Sequence, residues 1–124
     1  MRRGAALDVS RIEPYGRALN FNPKSTLSSD GSSALFWASD EIPVIVARIG
    51  CDDIFSVAEN PNQDWQKWAD TNAEVLIGIA SNLFRAGSYK NDHGMRVIDI
   101  RRDKLDAKKG LFRSVPDIHP RWGR

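Results

Sequence analysis

The sequence predicts an α+β fold: a small two-layer domain with a mainly antiparallel sheet of about four strands, one long helix and one or two short ones. Three observations predict it. Short β-branched and aromatic runs follow one another without helical spacers over residues 17–49. One long amphipathic stretch covers residues 64–86, and a further strand pattern follows at residues 95–100. Consecutive strands without intervening crossover helices favour an antiparallel sheet with helices on one face.

The elements follow in order. Residues 17–22 read as a first strand with Leu19 and Phe21 on one face, ended by Pro23, which has no N–H to give a ladder. Residues 24–33 are small and polar, with Asp30-Gly31 as a turn pair. Residues 34–37 and 42–49 read as a hairpin. Val44, Val46 and Arg48 share one face of its second strand, and Pro43, Ile45, Ala47 and Ile49 the other. Asp40 and Glu41 then sit at the tip, facing water.

Asp52 or Asp53 can cap a short helix over residues 54–59. In the long helix, Trp65, Ala69, Ala73, Leu76, Ile79, Ala80 and Leu83 fall on one broad face at ~100° per residue. Trp68, Val75, Ile77 and Phe84 widen that stripe, so the helix meets more than one neighbour. Asn62 or Asp64 starts it and Gly87 ends it. Residues 87–94 read as a polar loop, 95–100 as a strand and 101–108 as a short helix. The domain thus spans residues 17–108, between an N-terminal extension (1–16) and a basic C-terminal tail (109–124) expected to be extended.

The chain has 124 residues, 41% of them apolar and 27% charged, which fits one soluble domain with a core of its own. No apolar run reaches the ~20 residues of a membrane span, and the basic start lacks the apolar segment of a secretory signal. The single cysteine, Cys51, excludes an internal disulfide and suits a reducing cytoplasm.

Net charge is +2, unevenly spread. Residues 1–24 hold five basic and two acidic groups, residues 25–95 four and ten, and residues 96–124 nine and four. Basic ends lying against an acidic middle, of the same chain or of a second copy, account for this pattern; a polyanion-binding surface is the other reading.

Motifs for chemistry are sparse. The sequence has no phosphate loop, dinucleotide fingerprint, paired cysteine motif or HExxH, and it implies no cofactor or metal. Cys51 at a helix start and His93 in a loop could form a thiol–imidazole pair, although Asp52 and Asp53 oppose thiolate formation; a small buried residue and a loop histidine are the plainer reading. Adjacent carboxylates such as Asp40-Glu41 and Asp52-Asp53 read as a solvated turn and a helix cap.

Two binding surfaces are suggested instead. Trp65 and Trp68, one helical turn apart, and Phe84 are candidates for a protein interface or self-association, with core packing as the alternative. Arg96, Arg101, Arg102, Lys108, Lys109 and Arg113 form the densest basic run and are candidates for nucleic-acid binding, although Asp99, Asp103 and Asp106 interleave with them.

Several of these stretches carry a resemblance. Leu19-Asn20-Phe21, Phe36-Trp37, the strand and helix of residues 42–54, Leu76-Ile77-Gly78-Ile79-Ala80, Arg85-Ala86-Gly87 and residues 97–105 resemble, in that order, a family of short bacterial proteins known as domain of unknown function 1488. The likeness covers roughly residues 17–106. It implies an α+β fold and no established activity or catalytic residue. The chain differs in its N-terminal extension, its basic tail and Lys104 between Asp103 and Leu105. The functional expectation is a small non-enzymatic module that binds a protein or itself. Nucleic-acid binding through the C-terminal stretch, or a small enzyme at Cys51 and His93, are the alternatives.

Overall fold

The chain folds as an α+β domain, described in a computed structural model for residues 19–58 and 64–115. The strands are β1 (Thr26–Leu27), β2 (Ser33–Ala38), β3 (Ile45–Gly50), β4 (Lys90–Asp92) and β5 (Met95–Ile100). The helices are α1 (Cys51–Val57), α2 (Trp65–Thr71), α3 (Ala73–Arg85) and α4 (Arg102–Ala107), followed by a 3-10 turn at Lys109–Leu111. The extension at residues 1–16 and the end of the tail at residues 116–124 lie outside the described residues.

The five strands lie in the order β1-β2-β3-β5-β4. The expected hairpin is present: β2 and β3 are antiparallel, with Phe36 opposite Ala47, and Asp40 is exposed at the tip. Pairing departs from the expectation at the centre, where β3 and β5 run parallel with Arg48 opposite Asp99. The reason is the helical stretch between them. It carries the chain back across one face, as a parallel pair requires.

Period-2 alternation sets the core. Ala34, Phe36, Ala38, Ile45, Ala47, Ile49, Ile98 and Ile100 point from the sheet towards the helices, all at 2% exposure or less. Leu76, Ile79 and Ala80 of α3, Trp68 and Ala69 of α2, Ile54 of α1 and Leu105 of α4 meet them. The faces expected of residues 64–86 and of β3 are the faces buried.

Several boundaries are corrected. Residues 19–22 form no strand; Phe21 is buried there, while the Asn22 N–H donates to the Trp37 carbonyl at 2.8 Å. The first strand is Thr26–Leu27, inside the polar segment, because the Ser28 N–H bonds the Ser33 carbonyl and closes a hairpin. The loop 87–94 contains β4: His93 (φ 52°) and Gly94 (φ 76°) form a two-residue turn in the left-handed region, which joins twisted antiparallel strands. The long helix is divided at Asn72 (φ −106°, ψ 22°), whose side chain gives α3 no N-cap bond and instead donates to the Trp68 carbonyl of α2.

Helix ends follow local chemistry. Asp64 caps α2, its carboxylate accepting from the N–H groups of Gln66 and Lys67. After α3, Gly87 (φ 79°) closes a Schellman turn: its N–H bonds the Phe84 carbonyl, and the Ser88 N–H bonds that of Leu83. Helix α1 starts at Cys51, earlier than expected, so Asp52 and Asp53 occupy its first turn and Gly50 stands at the cap. The described part of the tail is docked, not free. Phe112 packs on Trp68 with ring centroids 4.9 Å apart.

Candidate interaction surface on the helix-free face of the sheet

Among the described residues all four helices pack on one side of the sheet, so the other side is built from the alternate residues of each strand. Two rows cross it. One runs Thr26, Leu35, Arg48, Asp99, and the other Trp37, Val46, Val97, Lys90. Val46 and Val97, at the middle of the second row, are 3% exposed. Around them Trp37 is half-buried, its indole N–H donating to the Thr26 hydroxyl at 2.8 Å.

Asp99 is the electrostatic centre. The Arg48 guanidinium grips it with two bonds, Nε to Oδ1 at 2.7 Å and Nη2 to Oδ2 at 3.2 Å. Lys90 Nζ stands 3.4 Å from Oδ2 and Arg101 Nη2 3.9 Å from it. Burial pushes the Asp99 carboxyl up, but the Arg48 hydrogen bonds and the charges of Arg48 and Lys90 outweigh it. The net pKa lies below the usual aspartate value. The same hydrogen bond raises the Arg48 pKa against the cost of its burial. A fork-to-carboxylate pair of this kind also fixes the β3–β5 register.

Two shallow depressions share Asp99 and Arg101 as their common ridge. One is bounded by Ser33, Arg48 and Asp53, the other by Tyr89, Lys90 and Val97. The surface therefore offers three cations and two carboxylates in alternation.

The sequence-predicted residues are dispersed. Trp68 is 1% exposed and belongs to the core; Trp65 and Phe84 pack partly buried against its edge. The helix face that bears the tryptophans is thus turned inward, which fits the core-packing alternative for Trp68. Arg101, Arg102, Lys108 and Lys109 are exposed around α4. Arg96 is elsewhere, at the start of β5, its guanidinium over the Tyr89 ring at 5.4 Å and the Phe84 ring at 6.0 Å. Five residues of strand, on the order of 17 Å, separate it from Arg101. Arg113 is held through its backbone by Asn72.

Cys51 and His93 stand at opposite ends of the sheet. Cys51 follows the end of β3, while His93 forms the turn before β5, parallel to β3, begins. His93 Nδ1 lies 2.7 Å from Asp92 Oδ1. Among the described residues, no three of the His, Cys, Asp and Glu side chains gather as a metal site, and no helix is long and apolar enough to cross a membrane.

Sequence reasoning missed Arg48 and Lys90 as members of one cluster with Asp99 and Arg101. The signal present was alternation: Arg48 interrupts the apolar face of β3, and Asp99 sits between Ile98 and Ile100. Only the parallel pairing brings the two together. No family model, no curated protein and no solved structure matches this chain.

Proposed function

We propose that the protein is a non-enzymatic protein-interaction module that binds through the helix-free face of its sheet, with a second copy of the chain as its first partner. One observation carries this reading: Arg48, Lys90 and Arg101 alternate with Asp53 and Asp99 across adjoining depressions, on the sheet face that also carries Trp37. A patch holding both signs can be its own complement across a two-fold axis, and a half-exposed aromatic on the same face suits an interface. This surface takes the place of the inward-facing Trp65/Trp68 helix face. Kinship with the domain of unknown function 1488 family belongs to the same proposal and rests on the residue pattern alone.

Sedimentation over a wide concentration range tests it, at low and high salt. The wild-type chain should form a dimer that weakens with salt, and Lys90→Glu with Arg101→Glu should weaken it by about ten-fold or more. A monomer at every concentration sinks the self-association reading.

A second reading has its own support. Arg102, Lys104, Lys108 and Lys109 are all exposed on α4 and its exit. We propose that this surface binds nucleic acid. Affinity for a short duplex should then fall steeply with salt, and neutralising Arg102, Lys108 and Lys109 should flatten the slope. No binding at low salt removes this reading.

A further inference from the structure

The elbow between α2 and α3 is occupied by a later part of the same chain. Residues 112–115 leave the 3-10 turn in an extended conformation, with Phe112 at φ −83° and ψ 147°. Phe112 packs on Trp68, Val115 packs against the core, and Arg113 between them is exposed. We propose that this elbow is a peptide-binding site, held in cis by residues 112–115 until an extended segment of a partner protein displaces them. The partner segment carries an aromatic residue in the place of Phe112 and an aliphatic one three positions on, in the place of Val115.

Asn72 is the reason for a peptide. Its side chain stands at the start of α3 and gives that helix no cap. Instead both ends of the amide meet the main chain of Arg113, Nδ2 donating to the carbonyl and Oδ1 accepting from the N–H. Contacts of this kind recognise an extended backbone and read no side chain, so they suit any residue except proline. The anchors on either side supply the selectivity. Phe112 offers a ring to the Trp68 indole, and Val115 a small apolar group to the core edge.

Burial of the amide means that the site is exchanged rather than emptied. Asn72 is 3% exposed, and among the described residues its Oδ1 accepts from the Arg113 N–H alone. Losing that donor without replacement leaves a buried oxygen unpaired, which is costly. A second peptide brings the same N–H and carbonyl, so it removes this cost as the first one leaves. The leash adds little hold of its own: Leu111 is 60% exposed, and Lys109 and Gly110 are exposed. The advantage of the cis segment is its tether, which acts as a local concentration in the mM range. The elbow belongs to the helix layer, so this site is separate from the helix-free face and does not depend on self-association there.

The test is an NMR titration of the full chain with a synthetic peptide that repeats residues 109–115 and has blocked ends. The signals to follow are the Asn72 side-chain amide and the Trp68 indole. Phe112→Ser loosens the cis segment, and that variant should bind the peptide with a dissociation constant on the order of 0.1 mM. The wild-type chain, where the tethered segment competes, should bind it about ten-fold or more weakly. Val115→Ser, which releases the other anchor, should fall between the two. A peptide N-methylated at the arginine nitrogen lacks the donor to Oδ1, and one with alanine for phenylalanine lacks the ring; each should bind about ten-fold more weakly. Unchanged signals at Val46 and Asp99 will show that each variant is folded. The inference is overturned if a folded Phe112→Ser or Val115→Ser chain gives no saturable shifts up to about 5 mM peptide. It is also overturned if the N-methylated or alanine peptide binds as tightly as the parent, or if the wild-type chain binds as tightly as Phe112→Ser.

Discussion

The side-chain amide of Asn72 brackets the backbone of Arg113: Nδ2 donates to the Arg113 carbonyl at 2.9 Å, and Oδ1 accepts from the Arg113 N–H at 2.7 Å. Nδ2 also donates to the Trp68 carbonyl at 3.0 Å, and the residue is 3% exposed. One buried amide therefore joins the two helices that it divides to the segment carrying Phe112.

Asn72→Ala should cost about 2–3 kcal/mol, because both Arg113 backbone groups lose their partner in a poorly hydrated place. Denaturant unfolding measures the loss. Tryptophan emission should shift to the red as Phe112 loosens from Trp68. A stability within about 0.5 kcal/mol of wild type would show the bracket to be idle.

The Asp99 cluster predicts unequal couplings. A double-mutant cycle between Arg48 and Asp99 should give about 1–2 kcal/mol, because the pair is bidentate and only a third and a fifth exposed. The cycle between Arg101 and Asp99 should give about 0–0.5 kcal/mol, since Arg101 is 71% exposed and 3.9 Å away. Equal couplings would contradict the geometry.

Acid should weaken the β1–β2 turn in a defined window. Asp30 Oδ1 accepts from the Ser28 hydroxyl, the Ser32 hydroxyl and the Ser32 N–H, and these bonds lower its pKa from 3.8 to about 2. A carboxyl more acidic in the folded chain adds stability above its unfolded pKa and loses it as pH falls through the folded one. The Asp30 contribution is therefore complete at neutral pH and disappears as pH falls from 3.8 to about 2. Carboxyl carbon shifts read the titration directly, and Ser28→Ala should move the Asp30 midpoint upward.

Ser25→Ala should stabilise the protein by up to about 1 kcal/mol. The Ser25 Oγ is buried without a hydrogen-bond partner among the described residues. Its backbone, which Asp70 and Gln66 of α2 hold at 2.8 and 3.2 Å, is untouched by the change. Thermal unfolding would show the gain; a lower midpoint would mean that the hydroxyl has a partner in solution.

The buried faces of the strands and of α3 were legible because each follows from a local period. The break at Asn72 was not, because Trp68, Asn72, Leu76 and Ala80 keep a spacing of four across it and the apolar stripe runs on unbroken. Strand β4 was hidden because Lys90-Asn91-Asp92 has turn composition, and it becomes a strand only through its neighbour β5. The interaction surface was legible one residue at a time. Arg48 and Asp99 are 51 positions apart, and no local pattern encodes a parallel pairing over that span.

That pairing divides the sheet into two locally wound halves. Strands β1, β2 and β3 are joined by hairpins, as are β4 and β5, so each half can form from neighbours along the chain. Only the β3–β5 seam must wait for a long loop to close, which places it late in folding and makes it slow. Until it closes, β3 of one molecule offers β5 of another the same ladder and the same Arg48–Asp99 clasp. Concentrated refolding should therefore yield intertwined pairs that have exchanged halves, each seam built from two chains.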